Sequence, residues 1–125
     1  MKTTDAAINR VFSLIKASAI KLPVYKLTKP TDVSASEYIV INALPISAGV
    51  MQKCTVNVNY HVKNLKSGMP DLSKLETVTA SLMSLLQEDS GQRILIDFES
   101  QEYFREDEIG GHYSNIRLKV KIVNA

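Results

Sequence analysis

The chain has one cysteine, Cys54, so no disulfide can form within it, and a reducing cytoplasm suits it better than a secreted setting. Histidine is almost as scarce. His61 and His112 each stand alone, with no second His at metal-ligand spacing. The N-terminal residues MKTTDAAINRVF lack the apolar h-region of a signal peptide, and no stretch approaches the roughly 20 apolar residues that span a bilayer, so a soluble protein without membrane association is expected. Charge of one sign is also lacking. Fifteen Lys and Arg against thirteen Asp and Glu leave +2, too small a surplus to predict specific nucleic-acid binding. Linkers, repeats and low-complexity segments are absent, so residues 1–125 are expected to form a single domain. A chain of this length buries about two-thirds of its unfolded surface and needs no metal or disulfide to fold.

What is present is alternation. In 112–123 the residues His112, Ser114, Ile116, Leu118, Val120 and Ile122 share one face of an extended chain. Tyr113, Asn115, Arg117, Lys119, Lys121 and Val123 share the other. At roughly 3.3 Å per residue such a strand reaches about 40 Å, more than a small domain needs, so part of it is expected to project toward a neighbouring copy. A second long amphipathic strand is expected over 52–63, with Cys54, Val56, Val58, Tyr60 and Val62 alternating with polar residues. The apolar run in 37–44 predicts a strand covered on both faces, and 24–28 a short one. A strand over 94–104 is apolar first and acidic later, and Gly110-Gly111 permits the positive φ of a turn into the last strand.

Two helices complete the pattern. The first has Thr4 or Asp5 as its N-cap, carries Ile8, Val11, Phe12, Ile15 and Ala19 on one face, and ends before Pro23. The second is capped by Asp71, with Leu72, Leu75, Val78, Thr79, Leu82 and Leu86 as its stripe, and ends near Asp89-Ser90-Gly91. The order α-β-β-β-α-β-β, closed by a long C-terminal hairpin, predicts an α+β fold: an antiparallel or mixed sheet with two helices on one face.

Catalytic chemistry is not evident, and the expectation is a protein without enzyme activity, cofactor or metal. Cys54 sits among apolar strand residues with no nucleophile signature around it. The acidic group Glu99, Glu102, Glu106, Asp107 and Glu108 lacks the spacing of a calcium loop. Gly110-Gly111 opens a strand, whereas a phosphate cradle opens a helix. Charge placed on long strands remains. Arg117, Lys119 and Lys121 can pair with the acidic residues of the preceding strand within one hairpin. They can equally meet the acidic tip of the next subunit and set register in a head-to-tail ring.

In layout the whole chain resembles the tail-completion, or tail-terminator, proteins of long-tailed bacteriophages and prophages. The resemblance rests on the N-terminal helix, the strand Tyr38-Ile39-Val40-Ile41-Asn42, the long strand from Thr55 to Val62, the helix led by Pro70-Asp71, and the closing His112-Tyr113-Ser114-Asn115-Ile116-Arg117. It implies a homo-oligomer, commonly a hexameric ring, made in the host cytoplasm and ending in the virion at the head–tail joint. Such a ring caps the tail tube protein, ends tube polymerisation and offers a docking surface for head-completion proteins. Subunit contacts are then expected on Glu102, Glu106, Asp107, Glu108, Arg117, Lys119 and Lys121. Apolar Ile46, Val50 and Met51 in the turn 45–51 are further candidates, if that turn is exposed rather than tucked under the sheet. Another head–tail connector, a minor tail protein, a non-viral ligand-binding domain or an enzyme with an unrecognised site are the alternatives.

Overall fold

The computed structural model describes residues 1–31, 34–87 and 93–124. Helix α1 (Thr4–Ala17) buries Ala7, Ile8, Val11 and Ile15, the 3.6-residue stripe expected of it. Its N-cap is Thr3, one or two residues before the expected Thr4 or Asp5, and the helix stops at Ala17. The stop has a local cause. Ser18 Oγ donates to the Ile15 carbonyl at 2.5 Å and takes up an end-of-helix acceptor, so Ala19 falls outside the helix and is exposed. Helix α2 (Leu72–Gln87) starts as expected, with Asp71 Oδ1 accepting from the Lys74 amide at 3.2 Å. Leu75, Thr79, Leu82 and Leu86 are buried, but Leu72 is 60% exposed and does not belong to the stripe. The expected end at 89–91 lies outside the described residues.

Five strands form one mixed sheet in the order β1-β2-β3-β5-β4, with both helices on one face. They are β1 (Val24–Lys26), β2 (Glu37–Ala43), β3 (Met51–Lys63), β4 (Ile94–Glu106) and β5 (Gly111–Val123). β1 runs parallel to β2 and every other pairing is antiparallel, so the fold is α+β with the element order expected from the sequence. β1 is shorter than 24–28. Leu27 has φ 70°, and the Thr28 amide turns back to the Lys26 carbonyl, which bends the chain off the sheet. β4 runs on to Glu106 and leads through a 3-10 turn (Asp107–Ile109) into β5.

The two glycines of that turn serve different needs. Gly110 has φ 61°, the left-handed region, whereas Gly111 has no positive φ and is required for space: a Cβ there would sit 2.7 Å from the Val62 carbonyl oxygen.

β5 does not project. It is paired with β3 from Met51↔Val123 to Lys63↔Gly111, and with β4 from Ile94↔Ile122 to Glu106↔Gly111. β3 and β4 are each as long as β5, so its length is used inside its own sheet. The helix-side rows of the strands, including Ile39, Ile41, Val56, Val58, Tyr60, Ile116, Leu118 and Val120, join the helix stripes in one core. Within it Thr79 Oγ1 donates to Ser114 Oγ at 2.8 Å and Gln101 Nε2 donates to the same oxygen at 3.0 Å. Every buried side-chain nitrogen and oxygen among the described residues has a partner. β2 is covered on both faces as expected, Ile39 and Ile41 being fully buried toward the helices and Tyr38 and Val40 only 8% exposed on the far side.

Candidate assembly surface

Among the described residues, no helix packs on the second face of the sheet. Register sorts its side chains into three bands. The first is aromatic, because Tyr38↔His61, His61↔Tyr113 and Phe104↔Tyr113 are directly opposed partners on successive strands. Their rings stack at centroid distances of 4.6, 5.0 and 5.2 Å, and Tyr25 extends the row edge-on from β1 at 6.4 Å. Each such contact contributes about 0.5–1.5 kcal/mol beyond area burial. Lys29 Nζ lies over the Tyr38 ring at 5.4 Å, and His61 Nδ1 lies 2.6 Å from Glu106 Oε1. Burial raises the Tyr38 hydroxyl above its usual pKa, and the Glu106 charge raises it further.

The second band is amide. Asn57 Nδ2 donates to Asn42 Oδ1 at 3.1 Å, and Asn115 Nδ2 donates to Asn59 Oδ1 at 2.7 Å and to Asn57 Oδ1 at 3.2 Å. The third is ionic. Lys121 pairs with Asp97 at 3.1 Å, while Lys119 and Arg117 reach Glu99 at 3.5 and 4.0 Å. A bulge between Phe98 and Ser100 in β4 shifts the register at Glu99, which meets both cations. Partly exposed pairs of this kind contribute about 0–1 kcal/mol each.

The candidate contact residues therefore divide. Arg117, Lys119 and Lys121 lie on β5, flanked by strands on both sides, and their carboxylate partners are Asp97 and Glu99 of the same hairpin. Glu102, Glu106, Asp107 and Glu108 sit together at the far half of β4 and its turn. Glu106 is directed inward to His61, and Asp107 is paired with Arg105 at 2.7 Å. The turn 45–51 is split. Ile46 packs against the core, Val50 is 77% exposed, and Met51 belongs to β3 and is 45% exposed. Buried Gln52 holds that turn, donating to the Lys2 and Ser47 carbonyls while its Oε1 accepts from the Lys2 amide and from Asn124 Nδ2. The turn is tied to both chain ends rather than hanging free.

The feature missed in the sequence is the outer edge of β4. Among the described residues no strand pairs with it, so alternate residues along its thirteen present unpaired main-chain donors and acceptors, interrupted by the bulge at Glu99. On this strand Tyr103 is 42% and Phe104 38% exposed, on opposite faces. Its sequence, ILIDFESQEYFRE, contains no proline or lysine of the kind that commonly blunts an edge. The opposite edge, β1, is three residues long. Aromatic residues near an acidic stretch were visible as a signal, but only the strand order places them at an edge.

Chemistry elsewhere is sparse. A cleft of about 370 Å³ beside Tyr38 and His61 is also lined by Lys29, Ser36, Lys63 and Ile109. His112 Nδ1 lies 2.7 Å from Asn64 Oδ1. Cys54 is buried, its thiol pushed up in pKa by desolvation, with Sγ toward the Leu44 carbonyl. Among the described residues no three His, Cys, Asp or Glu side chains are grouped to hold a metal ion, and no helix is long and apolar enough to cross a membrane. No protein-family model matches the chain, and no curated protein matches it in sequence.

Proposed function

We propose that this protein is a structural subunit of a bacteriophage or prophage tail. It assembles with copies of itself into a ring that caps the tail tube, ends tube polymerisation and presents a docking surface to head-completion proteins. The observation that carries this reading is the unpaired thirteen-residue edge of β4, with exposed Tyr103 and Phe104 and an acidic turn beside it. A long, partly apolar edge left open invites uncontrolled pairing, and a regular neighbour removes that hazard. A rigid body with two packed helices and a fully paired β3-β5-β4 ribbon suits a wedge in a ring, a task that needs no active site. The protein is made in the host cytoplasm and ends in the virion.

Light scattering over a concentration series at low and high salt, followed by electron microscopy of the protein with tail tubes and with portal particles, tests the proposal. Rings seated on tube ends are the expected result. Rings on portals alone would assign the protein to another head–tail joint, and a monomer that binds neither particle would refute the assembly role.

A further inference from the structure

The small net charge of the chain conceals a division between the two edges of the sheet. Residues 1–31, which form α1, β1 and their connections, carry six basic side chains (Lys2, Arg10, Lys16, Lys21, Lys26, Lys29) and one acidic, Asp5. Residues 94–109, which form β4 and its turn, carry six acidic side chains and one basic, Arg105. Asp97 and Glu99 are matched within the hairpin by Lys121, Lys119 and Arg117, so the acidic excess is concentrated in the far half, at Glu102, Glu106, Asp107 and Glu108.

The two edges also stand level with one another. Following register across the sheet, Tyr25 of β1 aligns through Val40, Asn59 and Asn115 with Glu102 of β4, and Lys26 aligns through Ile41, Val58 and Ile116 with Gln101. Glu102 is therefore at the height of β1, and Glu106 and the acidic turn lie just past its Val24 end, on the side of the α1–β1 connection. β1 runs parallel to β2, which opposes β3; β3 opposes β5, and β5 opposes β4, so β1 and β4 run in opposite directions. A second copy placed beside the first with the same face outward brings its β1 antiparallel to β4 with no shift along the strands, the twist of the sheet setting the rotation between copies.

We propose that the outer edge of β4 pairs with the β1 edge of a second copy of this chain, Glu102 and the acidic turn facing the lysines around β1. This inference rests on the assembly reading above and specifies its contact. β5, the basic strand the sequence offered as the partner of the acidic tip, has its cations engaged within its own hairpin, and the basic partner is the α1–β1 edge. The contact is heterologous, two different surfaces on each copy, so it generates a ring where the rotation closes and a filament where it does not. Attraction between surface charges weakens with salt, so the association constant falls about tenfold or more between low salt and half-molar sodium chloride.

Two charge-reversed proteins test it: E102K/E108K on the acidic edge and K21E/K26E on the basic one, all four positions exposed. Far-UV circular dichroism checks that each is folded, and neutral E102Q/E108Q and K21Q/K26Q serve if a reversal disturbs the fold. Native mass measurement should find each reversed protein monomeric alone at concentrations where the wild type assembles. Mixed one to one, they should assemble into particles with alternating subunits, because both kinds of contact in the mixture again join opposite charges. A wild type that assembles, with both reversed proteins assembling as well alone as it does, would overturn this edge pairing and leave the assembly role standing. A wild type that stays monomeric at every concentration would overturn this edge pairing, and the assembly role with it if the protein also binds neither tail tubes nor portal particles.

Discussion

Tyr60 sits toward the C-terminal end of β3 with its ring fully buried, and its hydroxyl donates to Glu37 Oε1 at 2.5 Å. Burial raises the phenol above its ordinary pKa, and the hydrogen bond to Glu37, the Glu37 charge and the Asp71 charge raise it further. Two consequences are separable. At pH 7, Tyr60→Phe removes a charge-assisted hydrogen bond, which costs about 1.5–3 kcal/mol. The lower end applies, because Glu37 is partly exposed and keeps Lys74 at 3.6 Å, so its carboxylate is not stranded. At high pH the same residue acts the other way. The folded phenol holds its proton longer than the unfolded one, so stability is intact below about pH 10 and falls by about 1.4 kcal/mol for each further pH unit until the folded value is reached. The phenylalanine variant lacks that loss. Wild type should therefore be more stable by about 1.5 kcal/mol at pH 7, the two proteins should match near pH 11, and the variant should be the more stable beyond it. Tyr38 is shifted in the same direction, but it is present in both proteins and cancels in the difference. Urea unfolding followed by far-UV circular dichroism at half-unit steps from pH 7 to 12 measures the crossing. A constant gap at every pH would refute the account, since it would mean that Tyr60 ionises alike in the folded and unfolded chain.

Three further outcomes follow from the geometry. Asp71→Ala removes the acceptor for the Lys74 amide and should lower the urea midpoint by the equivalent of about 1 kcal/mol, with an unchanged slope. Gly110→Ala and Gly111→Ala should separate. The first meets open space and costs about 1–2 kcal/mol for its left-handed φ, while the second drives a Cβ toward the Val62 carbonyl and should cost more by displacing the β3–β5 pairing, as unfolding midpoints will show. Cys54 is buried with its thiol pKa raised, so a thiol reagent at pH 8 should label it only after urea is added; rapid labelling of the native protein would contradict that burial.

Much of the fold could be read along the chain. The period-two rows in β3 and β5 and the 3.6-residue stripes of α1 and α2 placed the core except at Ala19 and Leu72, since strand and helix geometry alone decide which neighbours in sequence share a face. The errors lie where a single side chain or main-chain turn ends an element. Ser18 closes α1 before Ala19, and the positive φ at Leu27 cuts β1 short. The long closing strand was expected to reach beyond its own body, but no local pattern reveals that β3 and β4 match its length and enclose it. The candidate contacts divide in the same way: the acidic residues near the turn could be placed by spacing alone, whereas only register shows that Arg117, Lys119 and Lys121 reach Asp97 and Glu99 within their own hairpin.

By itself the sequence determined the composition of each strand face, the amphipathic helices, the lone buried thiol and the turn at Gly110-Gly111. Tertiary structure alone decided that Tyr38, His61, Tyr113 and Phe104 form one stacked row, that three asparagine-bearing strands meet, and that β4 rather than β5 is the edge. The reason is physical. Periodicity is a property of the backbone over a few residues, while strand order and register are settled by which long-range pairing buries the shared apolar face, and a slip of one residue would turn every side chain to the other side.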